Sequence, residues 1–81
     1  MKINDIVCQL TPIFREVFDD DFINVSPNMT ASDVVQWDSL GNIRLMISIE
    51  NAFGIRFETS EMTGAANVGE LIEMISNKLG N

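Results

Sequence analysis

The sequence contains no histidine and no tyrosine, and its only lysines are Lys2 and Lys78, near the two ends. The side chains that usually serve as general bases or metal ligands near neutral pH are therefore absent or remote. That excludes most self-contained enzymes, and the chain reads as a non-enzyme without a metal site. Its one cysteine, Cys8, has no partner within the chain, so a disulfide-stapled secreted scaffold is excluded too. The longest apolar runs are three residues, as in Leu45-Met46-Ile47, where a membrane span needs about 20. Asp5 falls where a signal peptide would be apolar. The expected location is the cytoplasm, with no membrane insertion. Bases are scarce: five against twelve acids give a net charge of −7. That balance argues against nucleic acid or an anionic membrane surface as partner and favours a basic protein.

What is present describes a small folded unit. Hydrophobic residues make up 46% and charged residues 21% of the 81, the balance of a globular domain. A chain of this length buries only about 60% of its unfolded surface. We therefore expect a single domain over 1–81, and a monomer. No internal repeat, low-complexity tract or strand alternation is visible.

Three helical patterns stand out. Ile3, Ile6, Val7, Leu10, Ile13, Phe14, Val17 and Phe18 repeat at the three-and-four spacing of one helix face. Pro12 interrupts that pattern, so either a kink or a restart with Thr11 as N-cap is expected there. Cys8 falls off the stripe and is assigned no role. The nineteen residues from Asp19 to Trp37 form a long connection. Phe22, Ile23, Val25, Met29, Val34 and Val35 offer apolar side chains to pin it down. Asp19-Asp20-Asp21 lacks the liganding residue and glycine of a calcium loop and reads as a solvated acidic corner.

Asp38 is a plausible N-cap for a second helix running through Phe53 to a stop at Gly54. Leu45, Met46, Ile49, Ala52 and Phe53 form its core face. Leu40, Ile43 and Ile47 form a second stripe, which implies burial all round or a partner. Residues 59–63 allow a short helix before Gly64. Asn67 followed by Glu70 resembles a capping box that opens a last helix with Val68, Leu71, Ile72, Ile75 and Leu79 on one stripe. The fold class is thus all-α, three main helices plus a short one, with a long loop between the first two. Met29, Met46, Met62 and Met74 read as filler of the core or its rim.

The informative segment is Trp37-Asp38-Ser39-Leu40-Gly41. It places a serine hydroxyl in the first turn of a helix, where open amides and the helix dipole favour an attached anion. Ser39 is no independent nucleophile, because no histidine, lysine or Gly-x-Ser-x-Gly pattern accompanies it. Trp37 reads first as a packing anchor and second as a contact for an attached group.

Asp38-Ser39-Leu40 resembles the Asp-Ser-Leu signature of the acyl carrier proteins and related phosphopantetheine carriers. Ile43, Leu45, Ile49, Glu50, Phe53, Gly54 and Ile55 are similar to that family's second helix and its exit. Val68, Leu71 and Ile75 are similar to its last helix, so the resemblance covers about residues 3 to 79. It implies a carrier whose Ser39 receives 4′-phosphopantetheine from coenzyme A through a separate phosphopantetheinyl transferase. The arm's thiol would then hold acyl groups as thioesters for acyl-loading and acyl-using enzymes. It implies a partner face along the second helix, which we expect at Asp38, Leu40, Ile43, Arg44, Ile47 and Glu50. Arg44 and Asn51 replace residues that are typically acidic in fatty-acid-synthesis carriers, and this departure points toward polyketide or other specialised biosynthesis. Two alternatives remain open. An aminoacyl or peptidyl carrier is disfavoured by Gln36-Trp37-Asp38, where such carriers have Gly-Gly. An unmodified acidic helical module would use Ser39 only as part of a cap.

The charge imbalance carries its own test. Seven excess negative charges on so small a domain repel one another, and added ions screen them. The melting temperature should rise along a sodium or magnesium chloride series at neutral pH. An unchanged value would mean that the charges are too dispersed to matter.

Overall fold

The computed structural model describes residues 3–34, 36–64 and 67–80. Four α-helices follow one another: α1 (Ile3–Val17), α2 (Ser39–Phe53), α3 (Thr59–Gly64) and α4 (Val68–Lys78). A 3-10 turn at Ala31–Asp33 lies within the first connection. No strand forms among the described residues, apart from a single antiparallel bridge between Thr30 and Asn67.

The periodicity of α1 buries Ile6, Leu10 and Phe14 completely, and Phe18 continues the same line beyond the helix. Opposite them stand Leu45, Met46 and Ile49 of α2 and Val68, Leu71, Ile72 and Ile75 of α4. Each such side chain contributes about 1.5–3 kcal/mol on burial. Ile3, at the open end of α1, is 58% exposed and stands outside the face on which its spacing placed it. Ala52 is likewise exposed, whereas Phe53, half-buried, packs against the core and extends the inner face of α2 to its last residue.

Pro12 does not restart α1. The helix runs through it, and Thr11 is no N-cap: its hydroxyl donates back to the Val7 carbonyl at 3.1 Å. A proline inside a helix costs about 3 kcal/mol. The burial of Leu10 and Phe14 on either side outweighs that cost.

The acidic corner after α1 is a helix stop. Asp19 adopts φ 51°, the left-handed conformation, and the Asp20 amide donates to the Arg15 carbonyl at 3.0 Å. With the weaker Asp19-to-Glu16 bond at 3.4 Å this is a Schellman arrangement in which aspartate occupies the place usual for glycine. Arg15 then ties down the following chain, Nε to the Ile23 carbonyl at 2.8 Å and a terminal nitrogen to Asn24 Oδ1 at 3.0 Å. No cluster of possible metal ligands forms among the described residues.

The long connection is pinned by Ile23, Val25, Val34 and Trp37, all buried, with Met29 packed against them. Phe22 is not among its anchors: it is 90% exposed. Val35 lies outside the described residues. The middle of the connection docks by backbone onto α4. The Val68 and Gly69 amides donate to the Met29 and Pro27 carbonyls at 2.8 and 2.9 Å, and Asn67 Oδ1 caps the Glu70 amide at 2.9 Å. The orphan donors of that helix start are thereby satisfied.

Gly54, at φ 67°, ends α2. Beyond it, Glu50 Oε2 accepts from the Phe57 amide at 2.8 Å and fixes the short stretch leading to α3. Glu61 joins α3 to α4 through Lys78 at 2.9 Å, and Lys78 also lies over the Phe57 ring. The Glu58 amide, and then Lys78, hold the Glu61 carboxyl below its ordinary range. No described helix is long and apolar enough to cross a membrane.

Asp19→Gly should stabilise the fold by about 0.5–1 kcal/mol, because it relieves a left-handed residue and removes a negative charge from a helix C-terminus. A urea midpoint that falls in this variant would show that the aspartate side chain is needed at the corner.

Candidate functional site

The corner that leads into α2 is built on aromatic contacts. Trp37 is 7% exposed, and its ring meets Phe14 edge-on at 5.3 Å and Phe18 at 6.1 Å. Its indole nitrogen donates to Asn42 Oδ1 at 2.9 Å. Trp37 is therefore a packing anchor, and it fixes the chain two residues ahead of Ser39.

Asp38 follows as N-cap, with Oδ1 accepting from the Gly41 amide at 2.8 Å and its carbonyl from the Asn42 amide at 2.8 Å. Ser39 is exposed, and its hydroxyl makes no hydrogen bond among the described residues. Nor do the Ser39 and Leu40 amides. At the start of α2 two backbone donors thus remain open around an exposed hydroxyl, an arrangement that suits an anion. The start of α4 is closed by contrast, since loop carbonyls occupy its amides. Asp38 is engaged in the cap.

The remaining residues of the expected partner face are distributed unevenly. Leu40, Ile43 and Ile47 are 68%, 44% and 46% exposed and make a continuous apolar stripe running away from Ser39. Arg44 is exposed and enters no ion pair among the described residues. It lies with Gln36, Asp38 and Leu40 in an open groove of about 570 Å³ that Glu16 and Asp19 of the α1 end complete. Glu50 departs from the expected face: it is half-buried, and its carboxylate is turned to the Phe57 amide. A backbone donor exposed by the exit of α2 draws that carboxylate inward.

Two residues with structural roles at this site went unread in the sequence. Gly41 is buried, and a Cβ on it would stand 2.3 Å from the Gln36 carbonyl oxygen and 3.1 Å from the Phe18 ring. Only glycine lets the end of the loop lie against the first turn of α2. A glycine three residues into a helix, directly after a capping sequence, is the signal that could have revealed it. Asn42, the second, bridges Trp37 and the Met62 carbonyl of α3.

The comparison with known proteins agrees with this geometry. The solution structure of a holo acyl carrier protein from Geobacter metallireducens superposes with a TM-score of 0.83 and is 41% identical, over 90% of this chain and 84% of that one. The chain belongs to the acyl carrier protein family. An acyl carrier protein of Acidothermus cellulolyticus is 27% identical over 90% of this chain and 87% of its own length. The polyketide-8 synthase acyl carrier protein 2 of Streptomyces avermitilis is 25% identical, covering 90% and 84%. No protein-family model matches.

Gly41→Ala tests the close approach. In an open helix alanine would gain about 0.5–1 kcal/mol over glycine. Here the clash should dominate and destabilise the fold by roughly 1–3 kcal/mol, read as a lower urea midpoint. A stabilised variant would show that the loop can move aside at little cost.

Proposed function

We propose that the protein is a carrier whose Ser39 receives a 4′-phosphopantetheine arm from coenzyme A. The observation that supports this most is the exposed, unpartnered Ser39 hydroxyl beside two open amides at the capped start of α2. The residues present fit the group. Ser39 Oγ forms the new phosphodiester bond, the adenosine bisphosphate portion of coenzyme A leaves, and the hydroxyl proton passes to a base of the transferase. Once attached, the arm supplies a thiol that carries acyl groups as thioesters.

The chain's own contribution is to bind and orient. Asp38 holds the first turn, and Leu40, Ile43 and Ile47 offer an apolar contact beside the attachment point. The acids around them suit basic partner surfaces, while Arg44 interrupts that pattern and favours enzymes that place an acid opposite it. Phosphopantetheinyl transferase and the acyl-loading and acyl-using enzymes are the partners. The specialised setting, polyketide biosynthesis or a related pathway rather than fatty-acid synthesis, rests on Arg44 and Asn51. The carrier acts as a single domain and a monomer in the cytoplasm, and the enzymes it serves perform the catalysis.

Incubation with coenzyme A and a phosphopantetheinyl transferase should add one arm, read by intact mass, and peptide mapping should place it on Ser39. Ser39→Ala should fold with an unchanged melting temperature and take up nothing. Labelling that survives this substitution, or that maps to Ser26, Ser48 or Ser60, would refute the assignment. Loading of an amino acid by an adenylation enzyme would instead identify an aminoacyl carrier.

A further inference from the structure

Asn42 lies three residues beyond Ser39, half-buried, with both ends of its amide in use. Oδ1 accepts from the Trp37 indole at 2.9 Å, and Nδ2 donates to the Met62 carbonyl. The orientation is unambiguous, because the indole can only donate and the carbonyl can only accept. One side chain therefore connects the anchor ahead of Ser39, the second helix and α3.

α3 has only six residues, far below the length at which a helix holds itself together in water. Its placement depends on tertiary ties. Three are evident: Met62 packs against the core, Glu61 pairs with Lys78 of α4, and Asn42 binds the Met62 carbonyl. The last is the tie that refers α3 to the helix bearing Ser39.

That reference matters to an approaching enzyme. A specific contact covers about 800 Å² on each partner, roughly one sixth of the 4988 Å² that this protein exposes. A helix of fifteen residues is about 22 Å long, and its outer stripe alone is too narrow for such a footprint. A footprint centred on Ser39 must cross to neighbouring elements, and α3 is the neighbour toward which Asn42 points. We infer that Asn42 is a positioning residue for loading. It seats α3 in register with the Ser39 turn, so that a transferase meets one rigid surface instead of having to order a loose segment as it docks.

The inference rests on the reading of Ser39 as the attachment point. Asn42→Asp is the discriminating variant: it keeps an acceptor for Trp37 and sets a carboxylate oxygen against the Met62 carbonyl, which breaks only the tie to α3. With a phosphopantetheinyl transferase and coenzyme A, KM for the carrier should rise about five- to tenfold while kcat stays unchanged. Hydrogen exchange should accelerate at the α3 amides and not in α4, and Trp37 emission should stay as in the parent. Asn42→Ala, which removes both bonds without adding charge, is the second variant should the first not fold, and it should shift the emission as well. A parent-like KM, or α3 amides that exchange as in the parent, would overturn the inference. If the parent itself takes no arm, the attachment reading fails instead, and the exchange measurement still decides whether Asn42 seats α3.

Discussion

The packing of Trp37 against Phe14 and Phe18 is the contact on which the presentation of Ser39 depends. A nineteen-residue connection would otherwise end loosely at the start of α2. Aromatic pairs of this kind contribute about 0.5–1.5 kcal/mol each beyond the area they bury, and here they act at a single point in the chain. Trp37 stops the connection, Asp38 caps, Gly41 allows the close approach, and Ser39 is left outward between them. The exposed hydroxyl is thus a consequence of what is buried on either side of it.

Much of this was legible from residue types. Spacing located the helices, because a core between helices accepts apolar side chains only on their inner faces, and Asp38, Gly54 and Asn67 marked ends through the backbone groups that they satisfy. The departures arise where tertiary contact outweighs local preference. Pro12 stays within α1 because its neighbours Leu10 and Phe14 are buried. Asp19 accepts a left-handed conformation because the chain must turn there to bring Ile23 inward. Phe22 and Ala52 are apolar by type yet outside, since no described element packs over them. The resemblance to acyl carriers drew attention to Ser39 and raised the expectation of a partner face along α2. It did not disclose that Glu50 looks inward, because that depends on the direction in which the chain leaves Gly54.

The two well-capped helix starts illustrate how similar local chemistry is put to different uses. Both α2 and α4 begin with a short polar cap that accepts from the third residue of the helix. At α4 the carbonyls of Met29 and Pro27 take the remaining amides and convert the terminus into a structural joint. At α2 no carbonyl arrives, and the terminus stays available. The difference between the two starts thus lies in what the long connection covers.

That joint also has a consequence for timing. The bonds from residues 27 and 29 to residues 69 and 68, with the Thr30–Asn67 bridge, close a loop that contains all of α2 and α3. Such a closure forms only after the intervening chain exists, and it carries the entropic cost of bringing distant residues together. During synthesis, therefore, the middle of the connection acquires its final support only once the start of α4 has emerged and docked. A nascent chain still lacking α4 leaves the Met29 and Pro27 carbonyls without these partners and the middle of the connection without its dock.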